Sequence, residues 1–431
     1  MTAGAAKDKI AIIGAGPVGI SAARALKLRG IAYDQFEAEA ATGGNWRHGV
    51  YSTAHIVSSR KTTEFPDYPM PAHYPDFPSA SQMLEYLNDY VKHYGLLEHI
   101  IFNTKVDYVG PAHDELWELR LSNGEIRLYE GVIVCNGHHW DCRWPTYEGD
   151  FTGEMMHSKD YRHPSQLAGK RVLVIGGGNS ACDIVSEAAR LGASAHLSLR
   201  RGYWFLPKTL YGKPIAELLT TWMPVWMQRI HIAVLLRIVI GDYRDYGLME
   251  PDHKLFEHHP TINSELLHYL KHGKIIPHPD VRRFDKQFVE FVDGIKEEFD
   301  LIICGTGFHV SVPFLAANIV EIEGSVVKAQ WGLVAPHHRQ LYIYGWGQAR
   351  YGFGPLLTPA SELIADLVLL QRRLSHPLGE VLKRMNQPLP ETHLLDPMAA
   401  LRQIRSARRM LWMLPFVDQY LMVKPKLLTQ V

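Results

Sequence analysis

The 431-residue sequence is poor in cysteine, and the four it has are scattered. Cys135, Cys142, Cys182 and Cys304 form no C-x-x-C pair, so neither a disulfide framework nor a cysteine-ligated zinc site is indicated. That usage favours a reducing compartment, and the cytoplasm is the expected location. No H-E-x-x-H or similar spacing occurs among the 23 histidines, so no metal ligand is assigned. No run approaches the roughly 18 apolar residues of a transmembrane helix. The opening MTAGAAKDK lacks the apolar core of a signal peptide. Excess charge is absent as well: 45 Lys+Arg balance 45 Asp+Glu, which gives no argument for a nucleic-acid partner. What remains is an ordinary globular composition, 46% hydrophobic and 21% charged, in a chain long enough for two or three domains.

The chain is organised around residues 9–19, KIAIIGAGPVG. The apolar run 10–13 reads as a buried parallel strand, and 20–28 has helical spacing. Strand, G-x-G-x-x-G, helix is the context in which this pattern means dinucleotide binding. Gly14 permits the tight turn, Gly16 lets backbone approach a pyrophosphate, and Gly19 lets helix and strand pack closely. Pro17 opens the helix, whose positive end faces the phosphates. A second strand over 31–36 ends at Glu37, about 20 residues beyond the turn, where a carboxylate suits a ribose hydroxyl and repels a 2′-phosphate. Residues 42–47, TGGNWR, either bring backbone and the Trp46 indole against a flat ring or form a surface turn. The Pro- and aromatic-rich stretch 65–78 cannot be a helix or an inner strand. Ser79 and Gln82 then read as a capping box for a helix through Tyr94.

Hairpin-like strands over 106–128 lead to a buried strand at 131–135. The opening motif then recurs: an apolar strand over 171–175, Gly176-Gly177-Gly178-Asn179-Ser180-Ala181, and a helix through Leu191. This is G-x-G-x-x-A, an allowed variant. The following strand, 193–199, ends in Arg200 and Arg201 rather than in an acid. Guanidinium groups there suit a 2′-phosphate, so the second site prefers NADP(H), while the acid-ended first site suits FAD. Between 203 and 252 lies an irregular stretch with Trp204, Trp222, Trp226 and an apolar helix near 230–240. A buried helical insert is the expected reading, with a substrate-channel wall as the functional alternative. Residues 273–298 read as strands around an Asp293-Gly294 hairpin, and 300–304 as a buried strand. A further strand covers 341–344, and a helix is expected from Ala360. Four arginines from Arg402 to Arg409 precede an apolar segment; a helix docked on the core is expected there, with peripheral membrane contact as the alternative.

Phe151, Gly153, His157 and Tyr161 spell F-x-G-x-x-x-H-x-x-x-Y just before the second glycine turn. With Gly14/Gly16/Gly19, Gly43-Gly44-x-Trp46, Gly176/Gly178/Ala181 and Thr306-Gly307-Phe308 in the same order, the chain resembles the flavin-containing monooxygenases, the class B flavoprotein monooxygenases. The resemblance implies an α/β fold of two doubly wound, Rossmann-like dinucleotide-binding domains, the NADPH domain inserted into the FAD domain. The expected boundaries are 1–155, 156–300 with a helical insert around 203–252, and 301–431. It also implies FAD and NADPH as cofactors, and O2 and a small organic substrate as reactants. NADPH would reduce FAD, and a C4a-(hydro)peroxyflavin would oxygenate a soft nitrogen or sulfur. Ketone oxygenation of the Baeyer–Villiger kind, or an NADPH oxidase releasing H2O2, are the alternatives. Tyr161 favours nitrogen or sulfur, because the Baeyer–Villiger branch typically carries Trp there. Beyond the glycine-turn residues, Glu37, Arg200 and Arg201, the cofactor contacts fall on Gly44, Asn45, Trp46, Asn179, Ser180, Thr306, Gly307 and Gln348. Asn45, Ser58 and His157 are placed at the reacting centre, His157 in a hinge role rather than as a general base. The family's usual Thr-Asn pair is replaced by residues 56–61, IVSSRK, so Ser58 becomes the substitute hydrogen-bond donor. A homodimer stays open.

Overall fold

The computed structural model describes residues 4–219 and 223–421; Trp222 lies outside the described residues. Two sheets carry the fold. In the first, Ile100–Ile101, Tyr33–Phe36, Gly4–Ile13 and Ile126–Val134 are parallel neighbours in that order. The end of Ile126–Val134 also pairs in parallel with Leu341–Ile343, while its beginning joins an antiparallel meander with Trp117–Leu121 and Val106–Pro111. The central strand starts at Gly4 rather than Ile10, and a register shift between Ala6 and Ile10 joins its two parts.

The second sheet is wholly parallel: Ile276–His278, Ser194–Ser198, Arg171–Ile175, Leu301–Cys304, Glu154–His157. It too is followed by an antiparallel ribbon, Val281–Asp285, Phe288–Phe291 and Lys296–Glu298. The chain thus builds one unit, inserts a second of the same plan, and returns to the first at Leu315, which bridges to Val109, before Leu341–Ile343 joins the sheet. The expected boundaries shift here. Leu301–Cys304 lies between Arg171–Ile175 and Glu154–His157, so it belongs to the second unit and not to the last segment. All of Glu154–His157 belongs there as well. Fully buried strands read as continuous apolar runs, and nothing in such a run says which sheet it joins.

Helix Pro17–Leu28 packs against the long helix Gly354–Gln371: Ser21 donates to Leu357 O (3.1 Å) and Arg24 to Glu362 (3.0 Å). The long helix starts at Gly354, earlier than Ala360; Pro355 stands in its first turn and Pro359 inside it. Helix Pro397–Met410 docks on this helix, with Arg408 reaching Glu362 (3.1 Å) and Asp366 (3.0 Å). The insert helix is Val225–Val239. It corrects the expectation of burial: Gln228, Ile232 and Leu236 are buried, but Trp226, Ile230, Val234 and Ile238 face outward. Among the described residues no helix is long and apolar enough to cross a membrane.

The second sheet is tied to its ribbon by Arg171, which donates to Asp300 through Nε (3.0 Å), a second guanidinium nitrogen (2.7 Å) and its backbone N–H (2.8 Å), and to Glu298 (2.5 Å). These bonds hold the Asp300 carboxyl down at about 2. A carboxyl depressed in the folded state stabilises fully above its unfolded value, near 4, and loses that contribution as pH falls through the folded value. Asp300→Asn should therefore cost about 1 kcal/mol at neutral pH, a few °C in Tm, for so solvent-accessible a pair. Melting curves between pH 7 and 2 should show the variant losing less stability below pH ~4 than the parent.

Candidate functional site

The first glycine turn is closed by backbone on backbone. Gly14 sits at φ +104°, and a Cβ there would lie 2.6 Å from Cys135 O. At Gly19 a Cβ would stand 2.0 Å from Gly14 O, so helix and strand meet only because the side chain is missing. Gly44, at φ +53°, brings its own backbone over the turn: a Cβ there would be 3.0 Å from Gly16 Cα. Gly43 N–H donates to Ala15 O (3.1 Å). The glycine pair before Trp46 is therefore a second wall of the turn and not a free surface loop. Pro17 occupies the first helical turn. Glu37 is buried; its Oε2 accepts from Ala15 N–H (2.6 Å) and its Oε1 from Glu39 N–H (3.0 Å). Each oxygen keeps a second lone pair for a ribose hydroxyl. Among the described residues, Asn136 Oδ1 and Trp346 Nε1 are buried without hydrogen-bond partners, on residues that follow strands Ile126–Val134 and Leu341–Ile343. The carboxyl ends of strands are where open α/β sheets bind ligands, and these unpaired atoms fit a polar group received there.

At the second turn Gly176, at φ +123°, meets Gly305 O, which a Cβ would approach to 2.3 Å. Ala181 fills the third position because the residue opposite it, Gly305, has no side chain. Gly178 faces open space. Asn179 turns inward: its Oδ1 accepts from Ile262 N–H (2.8 Å), and Ser180 reaches the Tyr51 hydroxyl. Arg200 is exposed and Arg201 lies 5.4 Å from the Tyr203 ring centroid; among the described residues neither forms an ion pair.

His157 lies where the chain passes between the units. Its ring is fully buried; Nδ1 accepts from Lys159 N–H (3.1 Å), and Nε2 therefore carries the hydrogen that it donates to Gly307 O (3.1 Å). Burial lowers its pKa, so it is neutral and saturated with bonds. The two crossings are stitched further: Phe308–His309 pairs antiparallel with Asp141–Cys142, Arg143 N–H donates to Gly307 O (3.0 Å), and Thr306 Oγ1 donates to Arg143 O. Thr306 and Gly307 are thus part of the crossing. Gln348 N–H donates to His393 O (2.7 Å), in a short parallel pair with Leu394–Leu395. Ser58 bonds Thr63 Oγ1 (2.7 Å) at the entry to helix Arg60–Thr63, which Ser59 caps. Asn45 is exposed at the start of Asn45–His48, its side chain folded over Gly49. Among the described residues no hydrogen bond or ring contact joins Asn45, Ser58 and His157 to one another.

A seam that no motif announced joins the units. Helix Asn179–Leu191 buries two carboxylates on one face, Asp183 and Glu187. Asp183 accepts from the Tyr51 hydroxyl (2.8 Å) and Asn263 Nδ2 (2.7 Å); burial raises its pKa. Glu187 accepts from both Thr53 and Tyr161. Tyr161 thereby ends the fingerprint as a fully buried anchor. A cavity of about 370 Å³ lies beside these groups and Lys208. The i, i+4 spacing of the two acids was the available signal.

The flavin-binding monooxygenase-like family model matches residues 7–342. Flavin-containing monooxygenase 5 of Mus musculus is 32% identical over 350 residues, covering 74% of this chain and 66% of the relative. Dimethylaniline monooxygenase (N-oxide-forming) 2 of Rattus norvegicus is 30% identical over 363 residues, covering 76% and 67%. The chain spans just under two thirds of the length of the first curated relatives it matches. Among solved structures, a flavin-containing monooxygenase from Stenotrophomonas maltophilia superimposes with TM-score 0.65 at 24% identity, covering 83% of this chain and 97% of that one. A closed cyclohexanone monooxygenase gives 0.72 at 17%, covering 95% and 98%. At these identities the structures establish the α/β fold of two Rossmann-like units.

If Arg200 and Arg201 bind a 2′-phosphate, replacing both with Ala should raise KM for NADPH about 10- to 100-fold and leave KM for NADH nearly unchanged, since charge-assisted bonds are worth roughly 1.5–3 kcal/mol. Steady-state reduction with each coenzyme checks this; equal weakening removes the assignment.

Proposed function

Because this chain belongs to the flavin-binding monooxygenase-like family, we propose that it is an FAD-dependent NADPH monooxygenase that oxygenates a soft nitrogen or sulfur of a small organic molecule. The observation that carries this reading is the pairing of two glycine turns with opposite charge after them: Glu37 beside the first, Arg200 and Arg201, in no ion pair among the described residues, after the second.

Gly14, Gly16, Gly19 and Gly44 would hold FAD through its pyrophosphate, with Glu37 on the adenosine ribose. Asn136 and Trp346 supply the unpaired buried polar atoms at the strand ends. Gly176, Gly178 and Ser180 would take the NADPH pyrophosphate. When bound and reduced, FAD would supply the electrophilic oxygen from O2, so no side-chain nucleophile is required. What the chain must do is orient the two cofactors and keep water out. His157, neutral and bonded at both nitrogens, is suited to holding the two crossings in register and unsuited to taking a proton. Trp46 packs against the cores of both units, which places the Gly43–Gly44 wall at their junction. The first unit is accordingly the FAD domain and the second the NADPH domain.

The test is turnover of the FAD-loaded protein with NADPH and ¹⁸O2, offered dimethylaniline, an alkyl aryl sulfide and a cyclic ketone. Labelled N-oxide or sulfoxide is the expected product. A labelled lactone would move the reaction to ketones. Hydrogen peroxide equal to the NADPH consumed, with no labelled product from any of the three, would overturn the proposal. Ser58→Ala should raise the fraction of NADPH that ends as hydrogen peroxide at least twofold, read with a peroxide-coupled assay. Unchanged coupling removes Ser58 from the reacting centre.

A further inference from the structure

The outer strands of the second sheet place two histidines side by side. Ser198 is the register partner of His278, so His196, two residues earlier on the same strand, points to the same face. Both residues are buried, 3% and 6% exposed. They lie nearly parallel, 5.1 Å apart, with His196 Nδ1 2.8 Å from His278 Nε2. Phe291 stacks on His278 at 4.0 Å and Phe299 stands edge-on to His196 at 4.9 Å, so neither ring is free to turn away. Opposite them the antiparallel ribbon brings in Glu297, from Lys296–Glu298. One ligand atom from each of His196, His278 and Glu297 lies within 4.8 Å of the other two. Among the described residues the Glu297 carboxylate has no hydrogen bond or ion pair. No sequence spacing announces such a set, because its members come from three separate strands.

From this juxtaposition we infer that His196, His278 and Glu297 form a zinc site that clips the edge of the second sheet to its ribbon. Two imidazoles and one carboxylate, with a water in the fourth position, are an established donor set for tetrahedral Zn²⁺. Zinc–ligand bonds of about 2.0–2.2 Å place neighbouring ligand atoms ~3.3 Å apart, so the two facing nitrogens must part by roughly 0.5 Å and the carboxylate must close in. Binding exchanges one N–H···N hydrogen bond for two coordination bonds and releases no proton: the hydrogen between the rings moves to the outer nitrogen of the ring that held it. For His196 that outer nitrogen, Nε2, lies 3.2 Å from Ser194 Oγ, which can accept the hydrogen and leave Nδ1 free to ligate. The charged group acting on His278 from the ribbon is Asp293, which adds negative potential for a cation. His278 O accepts from Leu199 N–H (3.0 Å), one residue before Arg200, yet the site shares no residue with either glycine turn.

The test uses the full-length, FAD-loaded protein after removal of metal with EDTA, titrated with ZnCl2. One zinc per chain is expected by elemental analysis, with a rise in Tm, and Co²⁺ should give the visible band of a tetrahedral nitrogen–oxygen site. His278→Ala should abolish both effects. Glu297→Gln, a partly exposed ribbon position whose replacement keeps the shape of the side chain, should weaken zinc at least tenfold while the variant stays folded. His268, on helix Leu266–Lys271, and His272, the C-cap of that helix, have tilted rings 4.1 Å apart and are the competing adventitious pair. His272→Ala should leave the stoichiometry at one. The inference is overturned if the parent protein takes up no zinc, or if Glu297→Gln binds it as tightly as the parent, or if His272→Ala removes it. None of these readouts depends on turnover, so failure here leaves the proposed oxygenation untouched.

Discussion

The structure depends on the absence of side chains at a few backbone crossings. At Gly19 a single methyl would stand 2.0 Å from Gly14 O, and at Gly176 it would stand 2.3 Å from Gly305 O. These are backbone atoms held by the parallel strands around them, so they cannot retreat as a side chain could. Each crossing lets a helix start directly above a strand end, and the helix N-terminus then faces whatever sits there. The same constraint acts between distant segments. Gly44 is close to Gly16, and Gly305 to Ala181, so each turn is completed by a residue far from it in sequence.

A second constraint is the double passage between units. The inserted unit leaves and returns through two adjacent chain segments, and a flexible pair would let the units drift. Here the segments pair with each other at Phe308–His309 and Asp141–Cys142, and His157 bonds across them through a ring that burial keeps neutral. On the other side of the junction, Asp183 and Glu187 hold Tyr51, Thr53 and Tyr161. Buried carboxylates are costly unless their oxygens are satisfied, and here hydroxyl donors from the first unit and the crossing supply the bonds. The seam therefore specifies one relative placement of the glycine turns.

Both turns were legible residue by residue, because G-x-G-x-x-G and its Ala variant state a geometric need that only those residues meet. The Ser79 capping box was legible for a similar reason: Ser79 Oγ accepts from Gln82 N–H and the Gln82 side chain accepts from Ser79 N–H, all within one turn. Positions set by distant partners were not legible. The strand at Leu301–Cys304 read correctly as a strand, yet its place in the second sheet depends on registers with Val172 and Glu154. The outward apolar face of Val225–Val239 could not be told from a buried helix, since the periodicity is the same whether or not a neighbour covers it.

Local geometry, then, was determined by the sequence alone: two glycine turns between strand and helix, an acid after one and arginines after the other, and strands apolar enough to be buried on both faces. Those features follow from interactions within about 25 residues, which chain connectivity enforces. Tertiary structure decided everything that needed a second segment. It made Gly43–Gly44 a wall of the first turn, His157 a staple between crossings, and Glu187 the acceptor of two hydroxyls from different elements. It also brought His196, His278 and Glu297 within reach of one ion. Each of these depends on which strands become neighbours, and strand neighbours are chosen by the packing of the whole chain.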